Sequence, residues 1–600
     1  MNINYSSLIP VKNDVDKKTA LFISLLIITS WHLIFKKYFP LPGGMMGHDY
    51  TLAIPGLIDG YIWYLKNGFI SPPWFSPSFN AGQPFFADPQ SIFYSIPQFL
   101  VFFIEPIKAI YISILLFAVA GFSGMYFFTR TQLSVDRWRS LICATIFLFN
   151  GFYVHRMIVG HFGYQAFMLV PILAMALLRQ LSDRITLRQD VLAGSIAGVI
   201  LGYCFQAGLT TLIIPATMGV AALILLKLVM EQKAISVALY IRLLFAIVVA
   251  IGLSASKLVA GLSLMQHFTR DFYPLPGISS ISGVLLAVFQ MLFYSSEHAY
   301  QTLTPLWSNM QWAAQPHELA FGLTPLVFLV LVFWPVFNRE ALRFKSISTP
   351  NIRLPLTFLG LILIIPVVML YYSPEWNSIL KKTPLISSTT SPWRWMIIVI
   401  PILSLLGGLA VGAKGRYRYI SGMVLLAGIP LLNSLEDRSF YDSQNTPNEE
   451  MVAFFKDVKA GKISPSIQQI ADPQTVFGMY PNALFALGLS PIACYNPLFG
   501  YRLEKLNFSK LQPGSYLIEK DGYYNFRNPA CLVFPKENNC KIWDNFSTNQ
   551  KKELESFVSY RGFPFTRSKV QSVADFITLM TLVSLLVYFS GAAALKWWKR

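Results

Sequence analysis

Of the chain's 600 residues, 54% are hydrophobic and only 13% charged, and its mean hydropathy is +0.49. A soluble protein of this length carries about twice that share of charge, so a water-soluble globule is excluded and most of the mass belongs in lipid. The net charge of +18 does not make it a nucleic-acid binder, because Lys and Arg fall in short clusters between apolar runs and no basic stripe carries interleaved aromatics.

Basic clusters recur at Lys12/Lys17/Lys18, Arg130/Arg137/Arg139, Arg179/Arg184/Arg188, Lys227/Lys233/Arg242, Arg339/Arg343/Lys345/Arg353, Lys414/Arg416/Arg418 and Lys596/Lys599/Arg600. Between successive clusters lie two apolar stretches joined by a connection poorer in basic residues. Lys and Arg are retained on the cytoplasmic side during insertion, so the clusters mark the inside and the connections the outside. A crossing helix needs about 20 apolar residues. Spans are predicted near Ala20–Tyr38, Ala109–Phe128, Leu141–Phe152, Tyr164–Leu178, Val191–Phe205 and Leu212–Met230. Others follow near Leu243–Leu262, Leu319–Phe337, Leu356–Tyr372, Trp395–Val411, Tyr419–Leu432 and Phe576–Leu595. The first run lacks a small-x-small cleavage site and is followed by Lys36-Lys37, so it reads as a retained span. The expected fold is an all-α polytopic membrane bundle of about 12 helices, in a bacterial inner membrane, with both termini cytoplasmic.

The outer connections are unequal. The first, residues 40–93, is rich in Pro, Gly and aromatics, and Leu57–Lys66 and Ser91–Ile104 read as short helices lying in the interface. The second, Asn150–Gly163, is short and holds His155, Arg156 and His161. The fourth, residues 266–316, contains an apolar stretch, Ile281–Tyr294, too short to span and open to a re-entrant or interfacial reading. Residues 433–573 turn polar, with turn dipeptides such as Asp472-Pro473 and Asp521-Gly522, and predict a small mixed α/β periplasmic domain. Residues 1–432 then form the membrane module, and 574–600 the last span and tail. Cys531 and Cys540 bracket a short hairpin that a disulfide would close in an oxidising compartment, whereas Cys143 and Cys204 fall in apolar segments and Cys494 is left over.

Walker A, paired-Gly dinucleotide, HExxH and GxSxG motifs are all absent, and no run of mid-span carboxylates marks an ion-coupled transporter. The titratable groups concentrate outside: six of the seven histidines, all but His32, fall in outer loops or at their edges. Asp49, just past the first span in Gly47-His48-Asp49-Tyr50, is the sharpest candidate. A carboxylate in a partly dehydrated cleft can take a proton from a hydroxyl or, with His161, hold a divalent cation such as Mg, Mn or Zn. The competing reading is a helix-capping or Asx-turn aspartate. Asp88 is a second catalytic candidate, competing with its role as the Asp of an Asp-Pro turn. His48, His155, Arg156 and His161 are candidate substrate-binding groups. Tyr50, Trp63, Trp74 and Phe75 are open to two readings, stacking on sugar faces or anchoring at the membrane interface.

A first span, an early acidic residue in a long outer loop, many further spans and a C-terminal outer domain resemble the GT-C-fold glycosyltransferases that use polyprenyl-phosphate sugars. The stretch PWFSPSFNAGQPFFADPQSIFYSIP (Pro73–Pro97) is similar to first-loop sequences of bacterial GT-C and YfhO-type membrane proteins. So are Gly160-His161, Phe321-Gly322-Leu323 and Ser391-Pro392-Trp393-Arg394 at the openings of spans. The resemblance implies transfer of a sugar from a polyprenyl-phosphate donor to a periplasmic glycan, lipid or protein acceptor. It makes Asp49 the base and Lys257, Arg270 and Arg394 the phosphate clamps. Here His155, Arg156 and His161 stand where some members carry a pair of acids, which bears on metal dependence. A lipid-linked glycan polymerase or ligase, and a flippase for a lipid-linked saccharide, are the alternatives.

Overall fold

The computed structural model describes residues 14–40, 45–47, 49–178, 187–267, 275–309, 315–334, 352–383, 386, 389, 391–412, 416–442, 445–472, 481–494, 496 and 510–598. Helices dominate. Among the described residues, eight are long and apolar enough to cross a membrane: Lys17–Tyr38, Pro106–Gln132, Arg137–Ile158, Leu209–Glu231, Val237–Met265, Arg353–Leu370, Arg418–Leu435 and Lys569–Gly591. The pair Pro392–Ile398 and Ile400–Ala410, bent by 41°, makes a ninth if it is one span. The other three expected spans coincide with lesser elements. Phe162–Leu178 is a shorter apolar helix, and Leu187–Gln206 is diluted by three glycines and by Arg188 and Asp190. At the third, Pro325–Val332 is followed by residues outside the description.

The span Arg137–Ile158 is buried from Trp138 onward and runs as two helices, Arg137–Leu148 and Gly151–Ile158, the second capped by Asn150. Its first turn is capped by Asp136, whose carboxylate accepts from Arg139 N at 3.1 Å and pairs with the Arg139 and Arg418 guanidiniums at 2.5 and 2.7 Å. Asp14 accepts from Arg137 N. Two of the basic clusters therefore meet at this end, joined by Asp136 and Asp14. The two helices carry the chain to the other end of the span, where His161 follows. Helices Leu187–Gln206 and Val237–Met265 lie close because Gly194, Gly198 and Gly202 face the second helix. A methyl group on Gly194 would lie 2.6 Å from the Arg242 carbonyl oxygen.

The first outer loop folds into helix Tyr50–Asn67, a hairpin pairing Phe75–Ser76 with Gln83–Pro84, and a short helix Ile96–Leu100. The four aromatics singled out in it are enclosed, which overturns both readings of them, whereas Leu65, Phe69 and Ile70 of the same loop are exposed. Tyr50 is buried with its hydroxyl on the Met157 carbonyl, and Trp63 donates to the Ser71 carbonyl at 2.9 Å. Trp74 packs on Phe86, Phe534 and Phe565, and Phe75 on Phe563 and Phe565. Rings enclosed in this way reach neither a sugar nor a lipid headgroup.

The polar C-terminal region contains two small three-stranded sheets, and Cys531 and Cys540 are joined by a disulfide with Cα atoms 5.8 Å apart. Cys143, Cys204 and Cys494 are free and buried. This region closes directly over the first loop. Met45–Gly47 pairs antiparallel with Asn445–Pro447, and Lys66 Nζ donates to the Pro465 and Ser559 carbonyls at 2.8 and 2.9 Å. Arg527 donates from its backbone N to Ala81 O and from Nη1 to Asn80 O.

Candidate active site

Asp49 sits at the N-cap of helix Tyr50–Asn67, yet its side chain makes no capping bond; its backbone N–H goes to the Val159 carbonyl at 3.0 Å. The carboxylate meets His161 Nε2 at 3.3 Å instead. Gly160 permits this approach. It has φ of +83°, and a Cβ there would stand 2.5 Å from Tyr50 N, so a side-chain-bearing residue would push the His161 turn off the Asp49 turn.

Behind His161 runs a chain of polar contacts. Arg156 Nη1 lies 3.1 Å from His161 Nδ1. A guanidinium only donates, so Nδ1 is the accepting nitrogen, and neutral His161 carries its proton on Nε2, facing Asp49. Burial pushes this imidazole below its usual 6.5, against the upward pull of Asp49, which favours the neutral form. Arg156 pairs with Glu318 Oε1 at 2.8 Å and donates to Oε2 at 2.9 Å. The same carboxylate takes Arg394 through Nη2 at 2.5 Å and Nε at 3.1 Å, and Trp393 Nε1 at 2.6 Å. Burial alone would raise the Glu318 carboxyl; Arg156 and Arg394 outweigh it and hold it well below its usual 4.5. Arg394 is steadied further by the Tyr164 hydroxyl at 2.8 Å and by that ring's face at 5.5 Å.

Asp49, His161, Tyr164 and Arg394 line a single cavity of about 360 Å³, together with Asp88, Gln83, Thr211 and Asn496. A carboxylate and a guanidinium thus face one space and are joined behind it through His161, Arg156 and Glu318. Asp88 fulfils its turn role, accepting from Gln90 N at 2.8 Å, and still borders the cavity. The other sequence candidates lie elsewhere. Arg156 is fully buried behind His161. His155, one residue away, points to another side of its helix, with Tyr441 Oη at 2.9 Å and Glu436 at 3.6 Å. Lys257 is not part of the cavity surface: its amine is buried on the Ser91 carbonyl and hydroxyl and the Gln206 carbonyl, which bind the first loop to the helices. His48 and Arg270 lie outside the described residues. Glu318, the hub of the arrangement, has no motif of its own. The only signal in the sequence is its place among the outer-loop acids, beside His317.

His161, His317 and Glu318 bring ligand-type atoms within 4.8 Å of one another, a geometry that a metal ion can use. The donor set does not suit a cation in this arrangement. Both Glu318 oxygens are held by guanidiniums, and His161 Nδ1 accepts from Arg156 as well, so an ion would have to displace Arg156 and Arg394. The pair Asp49 and His161 meets a related obstacle, because the nitrogen that faces Asp49 carries the proton.

No family model matches the chain, and no curated protein matches it in sequence. At low identity its structure is similar to an arabinofuranosyltransferase and to an archaeal oligosaccharyltransferase. The mycobacterial arabinofuranosyltransferase AftD matches over 81% of this chain and 32% of its own, with 12% identity and a TM-score of 0.45. The Archaeoglobus fulgidus oligosaccharyltransferase solved with Zn and sulfate matches over 79% and 62%, with 13% identity and a TM-score of 0.36. AglB from the same organism, in complex with an inhibitory peptide and a dolichol-phosphate, matches over 79% and 64%, with 13% identity and a TM-score of 0.33. The chain therefore spans about a third of the first protein and under two thirds of the others.

Proposed function

We propose that this protein is an integral-membrane glycosyltransferase that moves a sugar from a polyprenyl-phosphate donor to a hydroxyl of a glycan, lipid or protein acceptor on the outer face of a bacterial inner membrane. The observation that carries this reading is the uncapped Asp49 carboxylate facing the same cavity as Arg394, with the two joined through buried groups. Asp49 takes the proton of the acceptor hydroxyl while that oxygen attacks the anomeric carbon. The bond from the anomeric carbon to the phosphate oxygen breaks, and the lipid phosphate leaves with the electron pair. Arg394 counters the charge that develops on the phosphate, in a geometry fixed beforehand by Glu318 and Tyr164. Neutral His161 orients the base without competing for the proton. In this reading the chain crosses the membrane about twelve times with both termini inside, residues 433–573 form an outer domain over the cavity, and any divalent ion would have to compete with Arg156 and Arg394 for Glu318 and His161.

The test is Asp49→Asn in the full-length protein, reconstituted in nanodiscs and supplied with a radiolabelled polyprenyl-phosphate sugar. Loss of transfer with donor binding retained is the expected result. Retained transfer would remove Asp49 as the base and favour a polymerase or ligase, which needs no first-loop carboxylate.

A further inference from the structure

The cavity has two chemically distinct sides. One is charged, with Asp49, His161 and Arg394. The other is built from Gln83, Asp88 and Asn496, with Phe85 also on the lining. We propose that this second side is a subsite for a neutral sugar ring, in which Asp88 and Asn496 bind a pair of neighbouring hydroxyls. The proposal rests on the glycosyltransferase reading above.

The wall is fixed before any ligand arrives. Asn80 and Ala81, at the tip of the Phe75–Pro84 hairpin, both hold left-handed backbone, with φ of 52° and 51°. That conformation is uncommon for residues bearing a Cβ, and it persists because the neighbours over-determine it. Asn80 Oδ1 accepts from Cys494 N at 2.7 Å, its Nδ2 donates to Gln83 Oε1 at 2.8 Å, and Ala81 N donates to Ser490 Oγ at 3.1 Å. The hairpin and the segment that carries Asn496 are thereby locked together. Asp88 is gripped from both ends, by Gln90 N on Oδ1 at 2.8 Å and by Asn496 Nδ2 on Oδ2 at 3.2 Å. A carboxylate and a carboxamide side by side offer acceptors and a donor at the spacing of vicinal hydroxyls, and the aromatic lining suits the apolar face of a sugar ring. Arg394 draws a phosphate to its own side of the cavity, whereas the charge of Asp88 is countered by the buried Lys257 amine and leaves that side to neutral hydroxyls. Asn496 also gives the C-terminal region a direct share in recognition.

The ring could belong to the donor or to the acceptor. The probes are methyl glycosides of glucose, galactose, mannose, arabinose and rhamnose, tested by saturation-transfer NMR against the full-length protein in detergent. At least one should give a signal that Asn496→Ala and Asp88→Ala abolish and Asp49→Asn leaves in place. Asn496→Ala guards against misfolding, because it spares the turn that Asp88 braces. In the transfer assay Asn496→Ala should raise KM about 10- to 100-fold for one substrate. An increase for the acceptor assigns the ring to the acceptor, and an increase for the donor assigns it to the donor. No signal from any glycoside, or a signal and both KM values unchanged in Asn496→Ala, overturns the subsite. If Asp49→Asn transfers normally while the glycoside signal survives, the base assignment fails and the subsite stands.

Discussion

Asp49 and Asp59 belong to one helix of one loop, and the protein uses them in opposite ways. Asp49 keeps 22% of its side chain exposed and contacts a histidine at the wall of a cavity. Asp59 is 2% exposed, accepts from the Ser76 and Ser78 hydroxyls, and has Tyr560 of the C-terminal region behind Ser78 at 2.8 Å. Burial raises the Asp59 carboxyl to about 7, even though both serines pull it down. Partners and hydration decide which carboxylate is free to do chemistry and which joins two parts of the fold.

The widest separation between them should appear in catalysis. Asp49→Asn should lower single-turnover transfer by about 10²–10⁴-fold, the range for loss of a general base, whereas Asp59→Asn should leave it within about threefold. Next comes the hub that supports the Asp49 side. Glu318→Gln leaves Arg156 and Arg394 without their shared counter-charge, and it should cost about 3–5 kcal/mol in unfolding experiments in detergent. Arg394→Lys keeps the charge but cannot reproduce the forked contact with Glu318. Its donor KM should rise about 10- to 100-fold, with a smaller change in kcat.

The two sites should also part in their response to pH. The Asp59 value is raised from 3.8 in the unfolded chain to about 7. Between those values the folded form binds the extra proton, so stability is greatest below 3.8 and is lost as pH rises towards 7. His161 is shifted downwards from 6.5, so below 6.5 the unfolded chain binds the extra proton and stability falls as pH falls. Thermal unfolding followed across pH should lose the first slope in Asp59→Asn and the second in His161→Gln. The smallest effect is expected from EDTA. Because arginines occupy the carboxylate and imidazole that an ion would need, chelation should leave transfer unchanged.

Much of the bundle was legible because an apolar run long enough to cross a membrane is a property of contiguous sequence. Asp49 and His161 could be singled out because each stands beside a glycine bend next to a span, and Arg394 because it precedes one. The hub was not legible in the same way. Glu318 acquires its meaning from Arg156 and Arg394, which lie 162 and 76 residues away and reach it only through the fold. His155 and Arg156 look equivalent in sequence, but neighbours on a helix point about 100° apart, and only Arg156 faces His161. Trp63, Trp74 and Phe75 resemble interface aromatics until the C-terminal region, whose contacts cannot be read from local pattern, covers them.

The pairing of Met45–Gly47 with Asn445–Pro447 joins strands about 400 residues apart, immediately before the Asp49 turn. During synthesis this strand pair must therefore wait until the roughly 400 intervening residues have been made, long after Val159 and His161, which hold Asp49, have emerged.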